Sequence, residues 1–329
     1  MMLSFFILIN ILILINFKKL SAFINLFDIP NKKRKTHIKK VASIGGFIII
    51  INLSIFFFYY YFVNEEIFFL SKKEFSLFYI SSLLFFVVGF LDDKYDLNPN
   101  IKFIIFFIIL YFFTSLLPTA NIGSLNFSFY NHVLSLEKIN PFFTIICFLL
   151  FINAFNMFDG VNLQSGFYSF FLLLVLFLKI DLNFFFFILM IALIFFIYLN
   201  FKNKCFLGDN GTLLISFIFS FMFIYLYNIN KIFYADEIFL LMLIPGLDLL
   251  RLCFSRIINN KHPFKGDRNH LHHIFLDKVG YNKYLFSTFA LIIGPYFIYY
   301  FFGGLIYIII ISTFIYISLI FYSKRNIKF

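Results

Sequence analysis

Apolar runs of about 18 residues or more recur along the whole chain, and each is long enough to cross a bilayer as a helix. "ASIGGFIIIINLSIFFFYYYFV" (42–63) and "NFFFFILMIALIFFIYLN" (183–200) are two of them. Eleven such segments can be read, at roughly 3–17, 42–63, 75–91, 101–118, 141–157, 164–180, 183–200, 211–229, 236–254, 284–301 and 304–322. The chain has 329 residues, 62% hydrophobic with 59 Phe, and a soluble core of that size cannot bury so much apolar surface. The expectation is an all-α polytopic membrane protein, a single integral domain over 1–329 with about eleven transmembrane helices. Residues 1–17 are apolar with Lys18 and Lys19 after them. A cleaved leader carries its charges before the apolar run, so this stretch reads as a first transmembrane helix. Cys147, Cys205 and Cys253 stand apart and suggest neither a disulfide framework nor a metal cluster.

Charge orients the segments. Connections that alternate along eleven spans divide the 27 Lys and Arg unequally, with 22 on one side. The positive-inside rule makes that side cytoplasmic, which puts the N-terminus outside and the C-terminus inside. The net charge of +11 is then mostly an orientation signal and not the footprint of a nucleic-acid partner.

Four polar clusters interrupt the apolar pattern: "GFLDDKYDLNPNIKF" (89–103), "NAFNMFDGVNLQSG" (153–166), "CFLGDNGTLLIS" (205–216) and "PFKGDRNHLHHIF" (263–275). All four fall on the side assigned as cytoplasmic. Short polar loops would explain a charge run such as 32–40. They explain Asp159 and Asp209 poorly, because each sits between apolar flanks with no basic neighbour, and a carboxylate at such a place is costly unless compensated. One site at the cytoplasmic surface is the simpler reading.

Asp92, Asp93, Asp159 and Asp209 supply carboxylates from three connections. An oxygen-only donor set suits a hard cation, Mg²⁺ or Mn²⁺, which leaves part of its coordination to phosphates and water. Lys94, Lys102, Lys265, Arg268 and the histidines could hold anionic oxygens. A metal, clamping cations and an acid are the parts of a phosphoryl-transfer site. Alone, each motif has another reading. "DDKYD" also fits aspartate-rich membrane prenyltransferases, but neither "NMFDGVN" nor "LGDNGT" supplies their second acidic pair. "HLHH" could bind zinc or iron, but no second histidine box accompanies it. "LGDNGT" could be a plain glycine-rich helix start. A lipid transporter without chemistry would place its acids at a midplane cavity, not on one face.

In order and spacing, the four clusters and the basic segment "FDIPNKKRKTHIKKVASIGG" (27–46) resemble the bacterial polyprenyl-phosphate N-acetylhexosamine-1-phosphate transferases. The resemblance runs to "HLHHIFLDKVG" (270–280), and the "HLHH" form is similar to the branch that initiates O-antigen and common antigen. It implies transfer of a sugar 1-phosphate from a UDP-N-acetylhexosamine to polyprenyl phosphate, with UMP released, at the cytoplasmic face of a bacterial inner membrane. It implies Mg²⁺ as cofactor, a lipid-bilayer setting and initiation of envelope polysaccharide such as lipopolysaccharide, and leaves a homodimer open.

Residue by residue, the resemblance makes Asp92, Asp93 and Asp159 catalytic, with Asp92 the group that deprotonates or orients the lipid phosphate. It makes Asp209 the metal ligand. Asn156, Asn162, Phe206, Lys102, Arg268, His270, His272 and His273 become substrate contacts, with Phe206 at a position that stacks on uracil in a related branch and Lys102 facing the lipid phosphate. Lys35 and His37 match a basic first loop. One departure stands out: the family commonly reads "DGxDG", and here "DGVNLQSG" puts Asn162 at the second Asp. Asn162 could bind Mg²⁺ weakly or meet the nucleotide, or it could simply cap the helix that follows.

Overall fold

A computed structural model describes residues 2–30, 40–63, 70–180, 183–260 and 269–324. The chain enters through α1 (Met2–Ile15) and α2 (Phe17–Ile24), then a two-residue strand β1 (Phe27–Asp28) pairs antiparallel with β2 (Val41–Ala42). Helices α3 (Gly45–Val63), α4 (Lys72–Tyr95) and α5 (Pro99–Leu116) follow. A hairpin, β3 (Ser124–Phe127) and β4 (Tyr130–Ser135), precedes α6 (Asn140–Phe158), α7 (Gln164–Lys179), α8 (Phe184–Phe201) and α9 (Gly208–Asn228). The remainder is α10 (Ala235–Leu241), α11 (Leu243–Ile258), α12 (Leu271–Val279), α13 (Tyr281–Phe302) and α14 (Leu305–Lys324).

Local chemistry explains the starts. Ser71 caps α4 by accepting from Glu74 N, and Glu74 returns the bond by accepting from Ser71 N at 2.9 Å, a capping box. Asn98 accepts from Asn100 N ahead of Pro99, and Asn183 accepts from Phe185 N ahead of α8.

Among the described residues, eight helices are long and apolar enough to span a membrane, or ten when each of two bent pairs counts as one span. The eleven apolar segments therefore each correspond to helix, but three are not simple spans. The first is bent by 70° between α1 and α2, next to Lys18 and Lys19. The ninth is bent by 82° between α10 and α11. Pro245 in the first turn of α11 has no N–H to carry the ladder across this break. The Tyr168 hydroxyl donates to the freed carbonyl of Leu241 at 2.9 Å. The sixth, α7, has only 16 residues.

Helix α9 is the axis of the bundle. It is buried on every side and packs against α3, α4 and α6. Phe217 on α9 stacks with Phe85 at 4.8 Å and Phe148 at 5.8 Å, and Phe113 meets it edge-on at 5.2 Å. Such pairs contribute about 0.5–1.5 kcal/mol each beyond burial. At 21 residues, α9 separates its two ends by about 30 Å at ~1.5 Å per residue. The aspartates cluster at its N-terminal end. The β3–β4 hairpin packs at the other, where the Tyr227 hydroxyl accepts from Asn126 N at 2.6 Å.

Candidate active site

The N-terminus of α9 is the centre of the site. Its own N-cap position, Leu207, offers no side-chain cap. Asp93, from the last turn of α4, does the capping instead. Its Oδ1 accepts from Asp209 N and its Oδ2 from Asn210 N, both at 2.9 Å, and Oδ2 also accepts from Asn210 Nδ2 at 2.5 Å. A carboxylate here answers both the unpaired N–H groups and the positive end of the helix dipole. The approach is close enough to need glycine. A Cβ on Gly89 would sit 2.6 Å from Asn210 Cα. Gly208 adopts φ +72, and a Cβ there would lie 2.8 Å from Asp93 Oδ2.

Asp92 turns the other way. Its Oδ2 pairs with Lys102 Nζ at 2.5 Å, and its Oδ1 accepts from Leu97 N at 2.9 Å. The Asp209 side chain lies within hydrogen-bonding reach of Asp92 and feels the charges of Asp93 and Lys102. Two carboxyl groups side by side, with Asp92 buried, must share a proton or a cation. The sequence suggested carboxylates presented by loops. Asp92 and Asp93 instead end one helix and Asp209 begins another, so all three are held by regular backbone.

The loop after α6 completes the acidic face. Asp159 caps the C-terminus of α6 and accepts from Ser165 Oγ at 2.6 Å. Burial, reinforced by the charge of Asp93 and partly offset by the Ser165 hydroxyl, pushes its pKa up to about 6. Asn156, one turn earlier, accepts from Thr212 Oγ1 on α9 at 2.7 Å. Its amide oxygen is thus spent on joining α6 to α9.

Asn162 does not cap the next helix: the N-cap of α7 is Leu163, at φ 70 with no side-chain cap bond. The Asn162 amide is joined to the side chain of Asn203, and its carbonyl accepts from Tyr281 Oη at 3.2 Å. The strained Leu163 is held by its N–H donating to Asn200 Oδ1 at 2.6 Å. Phe206 is half-buried, with its backbone paired to Ala42 and Gly45.

"HLHH" opens the short helix α12, with His270 at its N-cap. His270 and His272 are buried and stack at 5.1 Å, and His273 lies 4.2 Å from His272. The His272 ring packs against Gly160, where a Cβ would overlap it. Burial, with His273 and His270 beside it, holds the His272 pKa well below the usual imidazole range. Arg268, Lys265, Lys35 and His37 lie outside the described residues. The structure thus brings Asp92, Asp93, Asp159, Asp209, Asn156, Lys102 and His272 to one end of the bundle and directs the Asn162 amide to Asn203.

The donor chemistry fits a hard divalent cation at Asp209 and Asp92, which are oxygen donors with more negative charge than Lys102 balances. Among the described residues no group of three or more His, Cys, Asp or Glu is arranged to hold a metal ion. Mg²⁺ needs no such cage, since one or two carboxylates with substrate phosphates suffice.

Sequence reading missed Asp248, Arg251 and Arg256 on α11, which hold His270 and the entry to α12. The signal was present: an acid and a base three residues apart within an apolar run mark a functional site by default.

Carboxylates gathered at the ends of membrane-spanning helices, with a lysine paired to one of them and a histidine packed on the adjoining loop, define an integral-membrane site suited to phosphoryl transfer. Residues 75–227 match the sequence profile of glycosyl transferase family 4. The chain is 26% identical to the undecaprenyl-phosphate alpha-N-acetylglucosaminyl 1-phosphate transferase of Thermotoga maritima over 252 residues, 75% of this chain and 72% of the relative. It is 27% identical to the enzyme of the same name from Salmonella typhi over 272 residues, 79% and 71% of the two chains. It is 25% identical to that of Escherichia coli K12 over 275 residues, 79% and 71%. The profile match and these relatives support the glycosyl transferase family 4 resemblance that the motifs carry.

Proposed function

We propose that this protein transfers an N-acetylhexosamine 1-phosphate from a UDP-sugar to polyprenyl phosphate, undecaprenyl phosphate in a bacterial inner membrane. The products are a polyprenyl-diphosphate sugar and UMP. The observation that carries the reading is the meeting of Asp92, paired with Lys102, and Asp93, which holds the backbone of Asp209, at the N-terminal end of α9. An oxygen of the lipid phosphate attacks the sugar-side phosphorus of the donor. The bond from that phosphorus to the bridging oxygen breaks, and UMP leaves with the electron pair.

The nucleophile is already an anion, so the protein's work is positioning and charge balance. Lys102 brings positive charge to the acceptor phosphate and Asp92 orients it. Asp93 sets Asp209 in place by fixing the start of α9. Mg²⁺ or Mn²⁺, held by Asp209 and Asp92, would neutralise charge on the diphosphate and the departing UMP. Asp159 and His272 border the donor, with His272 neutral and able to hydrogen-bond without adding charge. The excess of Lys and Arg on the same connections supports a cytoplasmic setting for this face, where a UDP-sugar is found. An aspartate-rich prenyltransferase would need a second acidic pair, and the start of α9 carries Asp209 alone.

The test is a panel of labelled UDP-sugars given to membranes of the expressed protein with polyprenyl phosphate and Mg²⁺. UMP release matched by label in the organic phase is the expected result. Absence of both across the panel contradicts the proposal.

A further inference from the structure

Asp248 sits on α11 with its side chain buried and collects donors from three elements. It accepts from His270 Nδ1 at 3.2 Å, from Leu271 N at 3.2 Å, from Arg251 Nη2 at 2.7 Å and from Tyr316 Oη at 2.9 Å. Arg251 Nη2 also donates to Asn269 O at 2.7 Å, and its Nε to Tyr316 Oη at 3.0 Å. These bonds converge on residues 269–271, the entry to α12.

Helix α12 needs such help. It has nine residues, too few to be stable alone, and His270 at its N-cap makes no side-chain cap bond to it. Asp248 supplies that cap from α11 by taking the Leu271 N–H. The same carboxylate faces His270 Nδ1 while Arg256 Nη2 approaches Nε2 at 3.5 Å, so the ring is held on both edges. His270 is therefore occupied as an anchor. Its stacking partner His272 is the ring that reaches Gly160 and the Asp159 loop.

We propose that Asp248 is a positioning residue for the active site: acting through His270, it fixes α12 so that His272 is pressed onto the Gly160 turn beside Asp159. This deepens the sugar-phosphate transfer reading and rests on it. A carboxylate is required because four donors converge there. Asparagine offers a single acceptor oxygen and would turn its NH₂ group toward other donors.

The test uses the full-length enzyme in lipid nanodiscs, with Asp248→Asn, Asp248→Glu, His270→Ala, His270→Asn and the Asp248→Asn/His270→Ala double variant. Turnover is measured with UDP-N-acetylglucosamine and polyprenyl phosphate, and amide hydrogen exchange is followed in residues 271–279 and in α9. Asp248→Asn is expected to lower kcat roughly 10- to 100-fold, the scale of a slightly misplaced site group. KM should change far less. Exchange should rise in 271–279 and stay unchanged in α9. Asp248→Glu should recover part of the loss. His270→Asn, whose amide can still donate to Asp248, should exceed His270→Ala. The double variant should be no worse than the poorer single one.

Multiplicative losses in the double variant, or unchanged exchange in 271–279 for both Asp248→Asn and His270→Ala, would overturn the proposal. If Asp248→Asn loosens α9 as well, His270→Ala decides, because it must loosen 271–279 alone. A wild-type enzyme that transfers nothing would defeat the functional reading, and the exchange data would still decide the role of Asp248.

Discussion

Asp93 on α4 accepts three hydrogen bonds from the first residues of α9, two of them from Asn210. One carboxylate thereby joins two membrane helices at the point where Asp209 must be placed. The paired aspartates of "DDKYD" divide their tasks: Asp92 faces Lys102 and Asp209, and Asp93 builds the platform.

This division predicts different phenotypes for neighbouring substitutions. Asp93→Asn sets an amide against the N–H groups of Asp209 and Asn210 and should cost about 1–3 kcal/mol of stability, the penalty of an unmatched buried donor. Thermal unfolding in detergent should show it as a lowered Tm together with lost turnover. Asp92→Asn should lose turnover with a smaller change in Tm.

Asp209→Asn should lower turnover by at least roughly 100-fold, about 2.7 kcal/mol of barrier at ~1.36 kcal/mol per decade. EDTA should abolish wild-type activity and Mg²⁺ or Mn²⁺ should restore it. Full activity of Asp209→Asn at saturating Mg²⁺ would remove Asp209 as a ligand.

Asn162 and Asn203 form a side-chain pair, and either amide can turn to present its NH₂ group. Asn162→Asp and Asn203→Asp should therefore each keep activity within about tenfold, or 1.4 kcal/mol. The double variant sets two carboxylates against each other and should lose more than the product of the single effects. Initial rates of the three variants check this.

Below about pH 6 Asp159 is protonated, because its pKa is raised by burial. If its charge is needed, kcat/KM should fall as pH drops through that value. Ser165→Ala removes the hydroxyl that favours the carboxylate, so the acidic limb should move to higher pH. A pH–rate profile of the two enzymes reads the shift directly.

Much of this was legible in the sequence because bilayer length and apolar runs are tightly coupled. Every apolar segment corresponds to helix, and the motifs at 92–93, 156–159 and 209 meet in space. The bends were hidden, since a hydropathy run does not register that Pro245 and the Leu241 carbonyl interrupt a ladder. The hairpin at 124–135 was hidden because its hold on Tyr227, Phe233 and Asp236 depends on distant residues. The role of Asp93 as a cap was hidden for the same reason: the helix it caps begins 115 residues later. His270 looked like a substrate contact, and only its bond to Asp248 shows that the ring is engaged elsewhere.

In the proposed reaction the bond broken lies between the two phosphorus atoms of the donor, on the UMP side of the sugar phosphate. The most direct measurement uses a UDP-N-acetylhexosamine labelled separately in the sugar and in the sugar-side phosphate, incubated with the enzyme, polyprenyl phosphate and Mg²⁺. Both labels are expected in the lipid product in equal amounts, with one UMP released for each. Sugar label in the lipid without phosphate label, accompanied by UDP, would contradict it.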